Sequence, residues 1–423
     1  MKVGIIGAGI AGIASSIRMA ARGYEVDVYE ANDYPGGKLS QFQVGDYRFD
    51  AGPSLFTMPS YVEELFRLAK RDIKDYFEYE RLEVVCEYFW EDQTRITAFA
   101  EQAAFAQEVE EKLDIPAQKV LDLLTDSAYK YEVTGKIFLE KSLHQLSTWL
   151  NPSTVKAMLK IPTLDLFNTM NKVNEKRLQH PKLVQLFNRY ATYNGSNPYK
   201  TPGLLNIIPH FEYGFGAYFP KGGMYAITNS LFRLAEDLGV RFHFGQKVEE
   251  IVVKYKKASA LKVNGTLLHF DRTISNMDVF HAYRKLLPNE THPHRILKQP
   301  KSTSALIFYW GIQKSFPELD VHNILFSEDY ETEFAKMEAG EIYHDPTVYI
   351  NITSKKNPVD APKNCENWFT MINVPCNSGQ NWEDLIQNAK QNMLAKIERT
   401  LGVDVAPLIA CEALLDPRTI ESR

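Results

Sequence analysis

Three glycines, Gly7, Gly9 and Gly12, follow the apolar run Val3 to Ile6, and the acidic Glu30 stands eighteen residues beyond the last of them. Glycines at this spacing suit the diphosphate of a dinucleotide. The first permits a tight turn, the second lets bare backbone approach the anion, and the third lets the next helix lie close to the strand. A carboxylate at Glu30 can accept hydrogen bonds from ribose hydroxyls and repels a 2′-phosphate, which disfavours NADP. Pro35, Gly36, Gly37 and Lys38 then form a second glycine turn beside a cation. That turn suits a diphosphate, or it is an ordinary surface turn.

The elements needed to hold these residues are legible around them. Val3 to Ile6 reads as a buried parallel strand, Ile13 and Ile17 mark one face of a helix that ends at Gly23, and Glu25 to Tyr29 reads as the second strand. Strand, turn, helix, strand and acid in register make a Rossmann-type unit. Pro59-Ser60 with Glu63 reads as a capping box before a helix carrying Val62, Leu65, Phe66 and Ala69. Leu82 to Trp90 and Thr94 to Phe99 read as strands outside the nucleotide unit, and residues 101–188 read as helical.

Residues 136–182 interleave Phe138, Leu146, Trp149, Leu150, Leu159 and Phe167 with Lys136, Lys141, Lys156, Lys160, Lys172, Lys176, Arg177 and Lys182. This pattern suits a face resting on anionic lipid headgroups, or an amphipathic helical unit with a solvated lysine face. Pro220-Lys221-Gly222-Gly223-Met224 opens a further helix, and strands are expected at Val240 to Phe244, Val248 to Tyr255, Ala260 to Val263, Thr266 to Phe270 and Thr273 to Ser275. A second group falls at Ser304 to Ile312, Asn323 to Ser327, Thr347 to Ser354 and Trp368 to Val374, followed by a helix from Trp382 to Leu401.

The runs GAGIAG, YEAND, PGGK and GDYRFDAGPSLFTMP together resemble the N-terminus of the phytoene desaturase family of carotenoid desaturases. The resemblance implies FAD held by Gly7, Ala8, Gly9, Ile10, Ala11 and Gly12, by Glu30 and Ala31, by Gly36, Gly37, Lys38 and Leu39, by Gly52, Pro53 and Ser54, and by backbone at Val248. The expected fold class is α/β. A discontinuous Rossmann-type FAD-binding domain from residues 1–78 and 205–280 is joined to a second domain, 79–204 and 281–423, with a mixed β-sheet and helices that faces substrate and membrane.

The expected activity is desaturation of a carotenoid. The wording of GPSLFTMP and of the segment His180 to Phe187 leans toward the hydroxycarotenoid 3,4-desaturase branch. Carotenoid isomerases and retinol saturases share the motifs, and GDP-dissociation inhibitors share the architecture while holding prenyl chains without flavin.

Family members continue past the point corresponding to Arg423 with a strand and a glycine-rich turn at the flavin, so a truncated chain is the expectation. No catalytic side chain is assigned. Asp50 suits a place near the flavin or an N-cap, and His322 alone is too little for a catalytic role. The final electron acceptor, oxygen or a quinone, is not identified by any residue.

Composition bounds the rest. The 423 residues are 44% apolar, enough for two cores, and a formal charge of -5 makes no case for nucleic acid. Four scattered cysteines without a CxxC pair suit reduced thiols, and ten histidines form no metal-ligand spacing. The longest apolar runs are too short to span a bilayer, so a cytoplasmic protein peripherally associated with the membrane is expected.

Overall fold

The computed structural model describes residues 1–299 and 301–422. Its first sheet has four parallel strands in the spatial order Arg241–His243, Glu25–Tyr29, Lys2–Ile6, Arg272–Ser275. Val3, Ile5, Val26 and Val28 are buried, as strands covered on both faces require. The helices Ile10–Ala20 and Tyr225–Asp237 complete this core through Ile13, Ile17, Leu231 and Leu234. A three-stranded antiparallel meander, Val248–Lys254, Lys257–Val263 and Thr266–His269, follows, its last turn made by Asn264 and Gly265 with positive φ.

The second sheet has seven strands in the order Ile409–Leu415, Ser304–Ile312, Glu366–Val374, Val348–Ile352, His322–Leu325, Val84–Phe89, Arg95–Phe99. Its one parallel pairing joins His322–Leu325 to Val84–Phe89, so the sheet is mixed. Alternation along each strand divides the side chains between two faces. Phe89, Leu325, Phe308 and Trp310 pack with Trp382 and Met393 of the helix Trp382–Leu401. Tyr88, Ile96 and Ile324 pack with Phe105, Leu123 and Phe187 of the helices Gln102–Leu113, Ala117–Glu140 and Pro181–Asn188. Tyr309 instead meets Phe49 of the hairpin Gln41–Val44/Tyr47–Asp50, which leads into the Gly52 loop.

One element begins differently from the sequence expectation. The helix Ser60–Leu68 starts on Pro59 with no side-chain cap. Glu63 instead accepts a hydrogen bond from the Tyr79 hydroxyl, so the apparent capping box is not formed.

The outer face of the second sheet is fastened by a buried cation. Lys396 Nζ lies 2.6 Å from both Glu91 and Asp345 and donates to the Phe326 carbonyl at 3.0 Å, while Arg399 reaches the same two carboxylates at 2.9 Å. Burial alone would raise the Glu91 carboxyl, but hydrogen bonds from Arg399 and Lys396 hold it down at about 2. Its folded value lies below the unfolded ~4.3, so this stabilisation is complete above that pH and is lost as pH falls through about 2. Lys396→Ala leaves two carboxylates with one cation and is expected to cost ~3 kcal/mol of unfolding free energy, measured by urea titration at pH 7, with a smaller deficit at pH 3.

Candidate active site

The helix Ile10–Ala20 starts from Gly9 with no side-chain cap and no acidic residue in its first turn. Its positive end is therefore open to an anion rather than satisfied from within. A Cβ on Gly12 would lie 2.0 Å from the Gly7 carbonyl oxygen, so only glycine lets the helix fold this closely over the loop.

Three further segments converge on that loop. Gly36 N–H donates to the Ala8 carbonyl at 2.8 Å, and Gly9 and Gly36 form a parallel bridge, which lays the second glycine turn along the first. A Cβ on Gly52 would stand 1.9 Å from the Lys38 carbonyl oxygen, so the third segment is pressed onto the second. Buried Leu39 anchors the turn, its carbonyl accepting from the Thr228 hydroxyl at 2.7 Å. Ile10 is half-buried at the helix start, while Ala11, Ala31, Lys38 and Pro53 are exposed around the rim.

Glu30 faces the loop. Its carboxylate accepts from Ala8 N–H at 2.7 Å, from Asn32 N–H at 2.9 Å and from the Asn32 side chain at 2.8 Å. The Gln246 N–H donates to the Glu30 carbonyl, which runs the backbone leading to Val248 along this edge. The Val248 side chain packs inward with Ile6 and Tyr29.

Asp50 acts as a cap. Its carboxylate accepts from the Met224 and Tyr225 N–H groups at 2.8 and 3.1 Å, at the start of the helix Tyr225–Asp237, and pairs with Arg48 at 2.7 Å. Arg48 also reaches Asp360 at 3.1 Å, tying the hairpin to the connection between the second-sheet strands Val348–Ile352 and Glu366–Val374. Tyr309 Oη donates to the Ala51 carbonyl at 3.0 Å, and Ser54 Oγ lies 2.7 Å from Tyr349 Oη.

Several of these participants were not visible beforehand. Asn276 places its Nδ2 2.7 Å from where a Cβ of Gly9 would sit, and only the parallel pairing of Arg272–Ser275 with Lys2–Ile6 brings it there. Tyr349 arrives from nearly three hundred residues away from Ser54, a separation no local pattern reveals.

Residues 10–333 match the flavin-containing amine oxidoreductase family. The chain is 50% identical to a 1-hydroxycarotenoid 3,4-desaturase of Flavobacterium sp. (strain P99-3), across 99% of this chain and 86% of that one. It is 28% identical to a 4,4'-diapophytoene desaturase (4,4'-diaponeurosporene-forming) of Staphylococcus haemolyticus (strain JCSC1435), across its whole length and 86% of the relative.

The chain belongs to the flavin-containing amine oxidoreductase family, among its carotenoid desaturases.

The fold agrees. An oxidoreductase from Methanosarcina mazei superimposes with a TM-score of 0.64 at 13% identity, over 98% of this chain and 87% of that one. This desaturase-family protein is an FAD-dependent oxidoreductase of α/β class. The family match sets aside the flavin-free binding protein considered from sequence.

The closeness of Gly12 to Gly7 gives a direct check on the site. Gly12→Val forces the helix start away from the loop and is expected to lower the melting temperature and to yield protein that purifies without flavin, read as loss of the visible flavin bands relative to protein absorbance. Retention of wild-type flavin content in that variant would contradict the site.

Proposed function

We propose that this enzyme desaturates a hydroxylated carotenoid in the manner named for its Flavobacterium relative, a 1-hydroxycarotenoid 3,4-desaturase. The carrying observation is 50% identity maintained over 99% of the chain. Residues 1–78 and 205–280 hold FAD, and residues 79–204 and 281–423 meet the carotenoid.

In this reading the diphosphate rests on the loop from Gly7 to Gly12, against the open end of the helix Ile10–Ala20. Exposed Lys38 has no ion-pair partner among the described residues and supplies the neutralising charge. With three donors from Ala8 and Asn32 already on its carboxylate, Glu30 keeps a lone pair on Oε2 for a ribose hydroxyl. Ala31 and the backbone at Val248 border the adenosine, and Gly36, Gly37, Leu39, Gly52, Pro53 and Ser54 line the path to the ring.

Bound flavin supplies a hydride acceptor suited to an allylic C–H bond. The protein's own part is apolar burial, at about 0.8 kcal/mol for each methylene withdrawn from water, and exclusion of water from the reacting carbon. Coexpression with hydroxylated and unhydroxylated carotenes, followed by product analysis, tests the reading. A gain of one double bond in the hydroxylated carotene is expected. An unchanged double-bond count with altered geometry would instead identify an isomerase.

The route of so apolar a substrate bears on location. No helix among the described residues is long and apolar enough to cross a membrane. Exposed Phe167, Leu159, Leu146 and Leu150 leave 87, 78, 72 and 71% of their surfaces to solvent, near Phe138, Trp149 and Met158. Lys136, Lys156 and Lys160 are exposed among them, whereas Arg177 is drawn to Asp126 and Asp165, and Lys182 to Asp92.

So many exposed apolar side chains within residues 138–167, with lysines among them, fit the headgroup boundary of an anionic bilayer, on the cytoplasmic side. Cosedimentation with vesicles containing anionic lipid is expected for the wild type. It should fall about tenfold in a Leu150→Ser/Phe167→Ser double variant, through lost apolar contact. Equal sedimentation of the two would contradict docking at this face.

A further inference from the structure

His322 lies on the strand His322–Leu325 of the second sheet and is 4% exposed. Its Nδ1 is 2.7 Å from Tyr349 Oη and 3.3 Å from Asn351 Nδ2, and its Nε2 is buried with no hydrogen-bond partner. Desolvation and the Arg189 charge push the imidazole down to about 3, so it stays neutral at any working pH.

The neighbours decide which nitrogen carries the proton. Asn351 Nδ2 donates to the Val321 carbonyl at 2.9 Å, which fixes its amide orientation and turns an N–H donor toward His322 Nδ1. We assign Nδ1 as the acceptor and Nε2 as the protonated nitrogen; the single Nδ1 lone pair takes the shorter contact, from Tyr349 Oη, and the Asn351 N–H at 3.3 Å only flanks it. In that tautomer Tyr349 donates its only proton to Nδ1, and the 2.7 Å contact between Tyr349 Oη and Ser54 Oγ is donated by Ser54.

The chain of bonds thus has one direction: Ser54 to Tyr349 to His322. Ser54 has no second hydroxyl proton, so what its half-buried Oγ offers to the surrounding space is a lone pair. Ser54 sits two residues beyond Gly52, on the loop pressed against Lys38.

A buried, unpartnered imidazole N–H is a standing cost that an aliphatic residue would avoid. The side-chain hydrogen bonds of His322 go to Tyr349 and Asn351, so what it contributes is the polarity of that chain. A long polyene is nearly periodic, and apolar contacts alone hold it poorly in register. One hydrogen bond to a hydroxyl near the chain end fixes which carbon reaches the reacting position.

We propose that His322 is a positioning residue that makes Ser54 Oγ an obligate acceptor for the hydroxyl proton of a hydroxylated polyene, and so sets substrate selectivity and register. The inference rests on the desaturase reading above and specifies how its substrate is chosen. The hydroxyl donates to Ser54 Oγ, and no covalent bond forms or breaks in this contact.

The test compares His322→Leu, His322→Asn and Tyr349→Phe in the flavin-loaded enzyme, using matched carotenes with and without the hydroxyl. Leu removes the acceptor, which frees Tyr349 to donate to Ser54 and reverses the chain. Asn restores an acceptor oxygen at the place of Nδ1. The kcat/KM ratio of hydroxylated to unhydroxylated carotene is expected to fall roughly tenfold in His322→Leu and Tyr349→Phe and to recover in His322→Asn.

Equilibrium binding of the corresponding desaturated polyenes, which do not turn over, should show the same change in ratio. Flavin content and melting temperature guard against a merely structural effect, with His322→Leu at least as stable as the wild type. A wild type that binds both polyenes equally, or a selectivity ratio unchanged across the variants, would overturn the inference while leaving the desaturase reading intact. A wild type that desaturates neither carotene while still binding the hydroxylated polyene selectively would sink the desaturase reading alone.

Discussion

The structure depends on how closely three backbone segments approach one another at one edge of the parallel sheet. The turn at Gly36 is hydrogen-bonded to the loop ending at Gly12, and the Gly52 loop lies so near the Lys38 carbonyl that a single added carbon would close the gap. That stacking leaves the start of the helix Ile10–Ala20 uncapped, and bare amides at a helix start are what an anionic cofactor requires. Glu30 holds the arrangement from below by accepting hydrogen bonds from two of the participating backbones.

Everything outside this edge places groups in relation to it. Arg48 and Asp50 join the hairpin to the start of the helix Tyr225–Asp237 and to Asp360, so the Gly52 loop is held from both sheets. Tyr309 and Tyr349 reach the same loop from neighbouring parts of the second sheet. The polar chain from half-buried Ser54 through Tyr349 ends on buried His322, beside Asn351 and within reach of the Arg189 charge.

The parts of this arrangement that were legible in sequence are those built from local pattern. The strand Lys2–Ile6, the glycine spacing, the acid at Glu30 and the helix Trp382–Leu401 follow from periodicity and turn chemistry within short windows. Asp50 as a cap was one of two open readings, because its partners Met224 and Tyr225 lie far along the chain. The capping box at Ser60 misled because the helix began on Pro59 and a distant tyrosine captured Glu63. Asn276, Tyr349 and the role of His322 depend on strand pairings between distant segments, which residue spacing does not encode.

The central claim, that flavin held at this edge oxidises a carotenoid, is tested most directly by a single anaerobic turnover. Hydroxylated carotene is mixed with a slight excess of the purified, flavin-loaded protein without any electron acceptor, and flavin absorbance and carotenoid product are followed together. The account predicts bleaching of the oxidised flavin bands in step with the appearance of one new double bond for each flavin reduced. Oxidised bands that persist while product forms, or bleaching with no new double bond, would contradict it.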